Sequence, residues 1–366
     1  MSLLNRTVGI IGNMMFIFKK RKIKEGFDPE KILLIRSASI GDVMMTTPAI
    51  KALAEKYPKS KIDYLVGNYS RKVLEGNNHI DEIIGFDEEI IRKPKIGGII
   101  KLIKELRGKK YDLCIVFDKS WLWGLFAYFC RVKYRIGFDR KGEGFAHNLS
   151  VKFKGEEYEL DYNNSLLGLL KIGNISKQME ISISPEENNE ADEIVRKAKT
   201  KRTLIGIAPG GAKNPGQEMD SKRLPKPKYA KICNKLIEKN NIIFFGSKED
   251  SDIINDIMKL MKKKPTDLSG KLSLKVSAAV IGKCDLFISH DTGLMHIAAA
   301  MKIPQIAIFG PTPPKRFSPE KAKVVAAGQK KRLCYDMYGR YNKDCSCIQE
   351  INVEDVIGEA ERILGK

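Results

Sequence analysis

Short apolar runs recur along the chain, each followed by a polar or glycine-containing segment and then by a stretch with helical periodicity. Such runs are typical of buried parallel strands, and the longer periodic stretches are typical of helices. Strands are predicted at 31–35, 61–66, 82–86, 112–117, 134–138, 203–208, 241–245, 286–288 and 305–309. Helices are predicted at 44–56, 70–75, 96–106, 121–130, 186–199, 229–239, 252–262, 275–282, 294–301 and 353–364. This alternation indicates an α/β protein built on parallel sheets.

The alternation of strands and helices begins near residue 31 and again near residue 203. A chain of 366 residues is also longer than one hydrophobic core usually supports. We therefore predict an N-terminal leader at 1–27, a Rossmann-like domain at 28–175 and a second Rossmann-like domain at 176–366 that ends in a helix. The polar, mixed stretch at 155–200 is interpreted as the passage between the two domains.

The stretch at 284–300 concentrates candidate chemistry. A short strand leads into Asp291, Thr292 and Gly293, and a helix follows at once. Ligands of open parallel sheets bind beyond the carboxyl ends of the strands, and the free N–H groups of a helix N-terminus attract anions. Asp291 is predicted as the N-cap, and His296 lies on the helical face of Gly293. The alternative is that these residues only cap a helix and that His296 is a packed core histidine.

Further groups suited to an anion follow other strands of the second half. Gly210 and Gly211 can present backbone N–H groups, Lys222 offers a mobile positive charge, and Glu249 could accept hydrogen bonds from ribose hydroxyls. Together they predict a cradle for a nucleotide diphosphate. Taken singly, a Gly-Gly pair is usually a turn and Lys222 would be a solvated lysine.

The first half of the chain also carries a candidate acid, Asp42, after a predicted strand. Asp42 follows the first predicted strand, in a loop with a single glycine rather than the three of a dinucleotide fingerprint. Asp42 is therefore expected at the carboxyl edge of the sheet, facing a crevice. The alternative role is that of a helix-capping acid.

The net charge is +20 and comes mostly from lysine. It favours a polyanionic partner, namely nucleic acid, an acidic membrane surface or a phosphorylated small molecule, although a basic solvated surface would give the same total. Nucleic acid is not the predicted partner, because the sequence lacks interleaved aromatic and basic residues and any helix-turn-helix pattern.

The chain contains seven cysteines. Cys114 and Cys284 lie in or beside apolar runs and are predicted to be core thiols. Cys334, Cys345 and Cys347 cluster near the end, but without a nearby histidine or the paired spacing of a zinc site. No metal site is predicted, and a reducing compartment is the simpler interpretation.

The leader has an apolar segment at 8–18 followed by the basic sequence KKRK at 19–22. The segment is too short to span a bilayer, and its charge follows the apolar part, unlike in a secretory signal. It could lie on an anionic membrane surface. A helix packed on the domain, or a disordered leader, is the alternative.

Five motifs occur in order: RSASIGDVMMTTPAI at 36–50, PGG at 209–211 with KRLP at 222–225, LSG at 268–270, DTGLMH at 291–296 and FGPT at 309–312. In this combination the chain resembles glycosyltransferase family nine, the ADP-heptose:lipopolysaccharide heptosyltransferases, over about residues 30–360. The resemblance implies a GT-B architecture, with two Rossmann-like domains whose parallel sheets face an interdomain cleft. It also implies inverting transfer of a heptose-like sugar from a nucleotide diphosphate sugar, ADP-heptose, to a lipopolysaccharide-core or other glycan acceptor, without a metal or cofactor.

The resemblance also assigns roles to residues. Asp42 matches the catalytic base, Lys222 the group that holds the phosphates, and Glu249 the ribose ligand. Donor contacts are further expected from Gly210, Gly211, Asp291, Thr292, Gly293 and His296, and the acceptor-side candidates are Arg36, Ser39 and Asp118.

The partners that the resemblance implies are a nucleotide-sugar donor and a phosphorylated or lipid-linked glycan acceptor. Peripheral contact with an anionic membrane is suggested by the leader alone and is left open. The location implied is cytoplasmic, with peripheral contact on the inner face of the cell membrane left open. Three alternatives remain: a non-catalytic nucleic-acid or polyanion binder, a dinucleotide oxidoreductase, and a transferase of the same fold with another donor and acceptor.

Overall fold

The computed structural model describes residues 7, 9, 11, 12, 14, 23–93, 95–198, 200, 203–211, 213, 214, 217–327, 334–340, 342 and 345–365. The chain divides into two compact units, Met1–Lys177 and Gln178–Lys366. Most of the predicted leader, including its basic sequence at 19–22, lies outside the described residues, so the surface-helix prediction stays a prediction.

The first unit is built on a parallel sheet whose spatial strand order is β3-β2-β1-β4-β5-β6. Its strands are β1 (Lys31–Arg36), β2 (Lys61–Gly67), β3 (Glu82–Phe86), β4 (Leu113–Val116), β5 (Tyr134–Asp139) and β6 (Leu149–Lys152). The chain adds strands on one side of β1 up to β3 and then on the other side from β4 onward, so the strand order reverses between the parallel neighbours β1 and β4, where Ile35 lies opposite Val116. In doubly wound sheets this switch point opens a crevice beyond the strand ends.

The second unit repeats the plan with the order β11-β10-β7-β12-β13-β14. Its strands are β7 (Leu204–Ala208), β10 (Asn241–Phe244), β11 (Thr266–Asp267), β12 (Leu286–His290), β13 (Gln305–Phe309) and β14 (Lys323–Ala326), and β8 (Lys213–Asn214) pairs separately with β9 (Gln217–Glu218). Here the order reverses between β7 and β12, where Ala208 lies opposite Ser289.

Helices connect the strands in both units. The first unit contains α1 (Ile40–Met44), α2 (Thr47–Lys56), α3 (Glu89–Arg92), α4 (Ile96–Lys109), α5 (Trp121–Phe129) and α6 (Glu159–Gly168). The second contains α7 (Pro185–Ala198), α8 (Lys226–Leu236), α9 (Ser251–Lys259), α10 (Leu274–Ile281), α11 (Gly293–Ala300), α12 (Pro314–Phe317) and α13 (Val353–Ile363). Short 3-10 turns lie at Arg71–Val73, Asp220–Lys222, Lys248–Asp250 and Cys347–Glu350. No helix among the described residues is long and apolar enough to cross a bilayer.

The central strands are buried on both faces, as continuous apolar runs require. In β1 the side chains from Ile32 to Ile35 are fully buried. In the second unit Ile207 and Ile288 pack in one core with Tyr229 of α8 and Val356 of α13. The α/β prediction with parallel sheets in two Rossmann-like units is therefore confirmed.

Not every element of the structure was predicted. Strands β6 and β14 are edge strands with exposed positions; apolar and polar residues alternate in β6, and the apolar run of β14 is short. Helix α6 lies in the stretch interpreted as an interdomain passage. It was missed because its first turn is acidic and because it buries polar side chains, Glu159 and Asn163.

Candidate functional site

At the switch point of the first unit, one buried cation bridges two carboxylates. Arg36 is the last residue of β1, and its Nη2 lies 2.6 Å from Oδ1 of Asp42. Its Nη1 lies 3.5 Å from Oδ1 of Asp118 and donates to the carbonyl of Phe117 at 3.1 Å. Burial alone would lower the pKa of Arg36, but the charges of Asp42 and Asp118 outweigh it and raise that pKa. The predicted Arg36, Asp42 and Asp118 are thus brought together.

Asp42 is the most accessible member of this triad. Its side chain is 26% exposed, against 11% for Arg36 and 15% for Asp118. Asp118 is also held by Ser37, whose N–H donates to it at 2.6 Å and whose hydroxyl donates at 3.1 Å. Asp118 therefore anchors the loop, whereas Asp42 retains a face that can meet a substrate.

The turn that carries Asp42 is strained. Ser39, the N-cap of α1, has φ +71°, in a region that favours glycine. Its carbonyl accepts the N–H of Val43 at 3.0 Å, which starts the short helix that presents Asp42. Such backbone conformations cost about 1–3 kcal/mol and persist where the surroundings enforce them. The predicted Ser39 thus contributes its backbone conformation to this site.

A second buried ion pair in this unit was missed from the sequence. Lys119 Nζ lies 2.5 Å from Oε2 of Glu159, and the two side chains are only 10% and 2% exposed. Burial lowers the pKa of Lys119 in spite of Glu159, and its ammonium group lies 5.1 Å from the ring of Phe138. The only signal in the sequence is the position of Lys119 directly after Asp118, because helix α6, which supplies Glu159, lies in the stretch interpreted as the passage between the domains.

In the second unit, two loops at the switch point touch. A Cβ on Gly211 would lie 2.5 Å from Cγ2 of Thr292, and one on Gly210 would lie 2.3 Å from Cγ of Asp250. Gly211 also has φ +85°. Glycine is therefore required at both positions: a side chain on Gly211 would push the loop after β7 away from the loop after β12, and one on Gly210 would collide with Asp250 in the segment after β10.

Lys222 and Asp291 form an ion pair beside these loops. Lys222 Nζ lies 2.8 Å from Oδ2 of Asp291, and the side chains are 17% and 9% exposed. Burial would raise the pKa of Asp291, but Lys222, with smaller contributions from His296 and Thr312, lowers it below its usual range. Lys222 is therefore a fixed cation, neither a solvated lysine nor the mobile charge that was predicted.

The start of α11 differs from prediction by one residue. Thr292, rather than Asp291, is the N-cap, with φ −141° and ψ 168°, and the helix begins at Gly293. The carboxylate of Asp291 is engaged by Lys222 instead. His296 is buried on this helix and lies close enough to Asp291 to help lower its pKa. The predicted Lys222, Asp291, Thr292, Gly293 and His296 thus lie in one neighbourhood.

Asp250, rather than its predicted neighbour, holds the glycine loop. Its carboxylate accepts the N–H groups of Gly211 and Ser247, each at 2.9 Å, and it is 5% exposed. The N–H of Gly211, expected to bind an anion, is therefore engaged within the protein. Glu249 is exposed on the same 3-10 turn, and its assignment to ribose stays a prediction.

His290, the last residue of β12, links three segments and was also missed. Its Nε2 accepts the N–H of Leu224 at 2.9 Å and lies 3.1 Å from the hydroxyl of Tyr229. Burial lowers its pKa to about 4, although a hydrogen bond with the Gly210 backbone opposes the shift. His290 is therefore neutral at pH 7 and fastens the Gly210 loop and the segment after Lys222 to the sheet.

This linkage predicts acid sensitivity. A histidine whose pKa falls from 6.5 to about 4 on folding stabilises the fold fully above 6.5, and this contribution is lost as the pH drops toward 4. Between pH 7 and pH 5 the free energy of unfolding should fall by about 2 kcal/mol on this account. Urea titrations of the wild type and His290→Gln at both pH values measure it. Equal pH dependence in the two proteins would contradict the assignment.

Two buried hydroxyl oxygens lie near the same strand end. Ser289 Oγ and Thr292 Oγ1 have no hydrogen-bond partner within the described part of the chain. The first-turn N–H groups of α11 and the fixed charge of Lys222 lie beside them. Hydroxyl groups, a helix N-terminus and a cation together suit a phosphate-containing ligand.

Comparisons with known proteins identify relatives of this chain. The family model described as glycosyltransferase family 9 (heptosyltransferase) matches residues 99–343. Lipooligosaccharide heptosyltransferase 2 of Haemophilus ducreyi is 31% identical over 318 residues, which cover 81% of this chain and 87% of that protein.

Solved structures show the same fold. A glycosyl transferase family 9 protein from Veillonella parvula superposes with a TM-score of 0.80 at 24% identity, covering 94% of this chain and 99% of that one. The E. coli ADP-heptose lps heptosyltransferase II superposes with a TM-score of 0.71 at 24% identity, covering 91% and 98%.

Proposed function

Since this chain belongs to glycosyltransferase family 9, the heptosyltransferases, we propose that it transfers heptose from ADP-heptose to a lipopolysaccharide-core or related glycan acceptor, with inversion at the anomeric carbon. The chain is an enzyme of the glycosyltransferase class. The proposed donor-binding residues lie in the second unit, and the proposed catalytic base lies in the first.

The ion pair at the start of α11 carries the donor proposal. Lys222 is held 2.8 Å from Asp291, beside the N-terminus of an eight-residue helix and the buried hydroxyl of Thr292. Fixed positive charge at this place would stabilise the diphosphate as the glycosidic bond to it breaks. Gly211 and Gly210 keep the loop close, and Glu249 is proposed to meet the ribose.

Asp42 is proposed as the general base. Its carboxylate would accept the proton of the acceptor hydroxyl while that oxygen attacks the anomeric carbon and the nucleoside diphosphate leaves. Arg36 holds one oxygen of Asp42 at 2.6 Å and so fixes the orientation of the carboxylate. Arg36, Ser39 and Asp118 shape the surroundings of Asp42 and are proposed to lie on the acceptor side.

A transfer assay tests the function. Purified protein is given ADP-heptose and lipopolysaccharide truncated at successive core positions, and both ADP release and the mass of the product are followed. We expect ADP release that depends on acceptor and a product heavier by one heptose. ADP-glucose and UDP-linked sugars serve as matched donors. Transfer from one of these, with none from ADP-heptose, would favour a different donor within the same fold.

We further propose peripheral contact with anionic membranes through the leader. Its apolar segment and KKRK sequence at 19–22 suit such a surface. Gly12 packs closely on the first unit, since a Cβ there would lie 2.5 Å from Cγ of Phe145. Ile11 and Met14, beside it, are 52% and 72% exposed.

Vesicle binding tests this contact. Replacing all four basic residues at 19–22 by glutamine should weaken binding to phosphatidylglycerol vesicles at least about tenfold, because each such charge contributes about 1 kcal/mol near an anionic surface. The control replaces Lys262, Lys263 and Lys264, an exposed lysine cluster of the other unit. Similar weakening by both variants would mean that only total charge matters.

A further inference from the structure

The segment between β14 and α13 gathers three cysteine sulfurs. The sulfurs of Cys334, Cys345 and Cys347 all lie within 4.8 Å of one another. Cys334 and Cys345 form a disulfide with a Cα separation of 6.2 Å, and Sγ of Cys347 lies 3.1 Å from that of Cys345. A disulfide employs two of these residues and leaves a third thiol in contact with it. The other free cysteines, at 114, 130, 233 and 284, are buried elsewhere in the chain.

Backbone contacts hold the cluster together independently of the S–S bond. The N–H of Asn342 donates to the carbonyl of Cys334 at 2.9 Å, and the N–H of Cys345 donates to the carbonyl of Asn342 at 3.2 Å. Asp336 closes the intervening turn by accepting the N–H groups of Tyr338 at 2.8 Å and Arg340 at 2.9 Å. The three sulfurs are therefore expected to stay close after reduction.

We propose that the reduced cluster of Cys334, Cys345 and Cys347 binds one zinc ion through three thiolates. A dithiol reductant supplies two electrons and two protons to the disulfide and is itself oxidised, which leaves three thiols. Binding of Zn²⁺ then releases three protons and forms three Zn–S bonds, and the fourth position of the tetrahedral ion is left for water or another ligand. Thiolate sulfur selects borderline and soft metal ions over magnesium or calcium.

The surroundings suit a negatively charged metal–thiolate centre. Arg316 is 6% exposed, donates to the carbonyl of Asp336 at 3.2 Å and lies over the ring of Tyr335, the neighbour of Cys334. Burial raises the pKa of the Cys347 thiol, although a backbone hydrogen bond from Ile348 opposes the shift. The thiolate of Cys347 therefore forms on metal binding itself, which displaces the proton.

The ion would clamp the last part of the second unit. Cys347 opens a 3-10 turn in which Ile348 is buried against Gly310, directly after β13, where an added Cβ would lie 2.9 Å from Cβ of Ile348. Lys228 of α8 donates to the carbonyl of Ile351 at 2.7 Å just beyond. Zinc would thus join the loop to the sheet and to α13. This inference concerns a site separate from the proposed donor and base residues.

Metal content tests the proposal. The full-length protein is purified with a dithiol reductant, incubated with Zn²⁺, desalted and measured by elemental mass spectrometry, and Co²⁺ is used in parallel for its thiolate charge-transfer absorption. We expect about one metal ion per chain in the wild type. Cys347→Ser should lose the metal and the absorption band, whereas Cys130→Ala, a change at a buried thiol outside the cluster, should keep both.

Counting the reactive thiols of the cluster distinguishes a zinc site from unliganded thiols and from a persistent disulfide. Three reactive cluster thiols with no bound metal would overturn the proposal, as would metal retained equally by Cys347→Ser. A disulfide that persists in the presence of the dithiol would also overturn it and would leave a structural disulfide in its place. If Cys347→Ser fails to fold by circular dichroism, Cys334→Ser and competition of the wild type with a chromophoric zinc chelator give the same decision.

Discussion

Asparagine in place of Asp42 should lower kcat by about 10²- to 10⁴-fold, the range typical of a lost general base. Asparagine keeps the shape of the side chain and an oxygen for Arg36, which lies 2.6 Å from the carboxylate, but it cannot accept a proton from the acceptor hydroxyl. Single-turnover transfer of heptose measures the chemical step directly. Affinity for ADP should be unchanged, because the proposed nucleotide contacts belong to residues after 178.

Asp118→Asn is the matched control for Asp42. Asp118 shares the same arginine at 3.5 Å, but its side chain is less exposed than that of Asp42 and is engaged by Ser37. If loss of a carboxylate partner for Arg36 were the cause, both variants would lose activity alike. We expect Asp118→Asn to reduce stability more and kcat much less. A variant at Asp42 that retains more than about a tenth of the wild-type rate would remove it as the base.

Methionine in place of Lys222 should weaken ADP binding and lower kcat by about 10²- to 10³-fold, because a fixed positive charge next to the leaving diphosphate is lost. It should also reduce the free energy of unfolding by about 3–5 kcal/mol, since Asp291 remains buried without its cation. The 2.8 Å distance between Nζ of Lys222 and Oδ2 of Asp291, together with the lowered pKa of Asp291, indicates that the two charges interact strongly. Calorimetric titration with ADP, transfer kinetics and urea unfolding provide the three readouts.

A second variant separates structural from functional loss. Lys222→Met combined with Asp291→Asn removes both charges, so stability should largely return while transfer stays low. Lys226→Met is the surface control, since Lys226 pairs with Asp256 at 2.8 Å where both side chains are more than a third exposed. That change should have little effect on the free energy of unfolding, because solvent screens exposed ion pairs. Recovery of transfer in the double variant would exclude a role for Lys222 on the diphosphate.

The central architecture could be predicted because buried parallel strands are uninterrupted apolar runs. All of the inner strands of both sheets were found in this way, with β1 and β12 as examples. Edge strands β6 and β14 expose alternate or most positions, and their apolar runs are interrupted or short, so they resemble loop segments in the sequence. Helix α6 was hidden because its stability comes from tertiary contacts, among them the ion pair of Glu159 with Lys119, and local propensity cannot show them.

The site could be predicted in so far as its residues lie at or after the carboxyl ends of parallel strands, which meet at one edge of the sheet. Arg36, Asp42 and Asp118 meet as their positions after strands imply, and so do Lys222 and Asp291. Sequence could not show that Asp250 would take the N–H of Gly211 or that His290 would accept from Leu224, because those contacts join residues 39 and 66 positions apart. Nor could it show three sulfurs within reach of one another across a folded turn.

Ser39 carries an implication for engineering. A screen for heat-resistant variants would favour glycine at this position, because glycine adopts φ +71° without steric conflict. The same exchange would let the turn adopt other conformations, so the carboxylate of Asp42, three residues later, would be held less firmly in position. Thermal stability and the positioning of the catalytic acid therefore place opposite demands on Ser39. Mutant libraries designed to raise the stability of this enzyme should keep serine at this position.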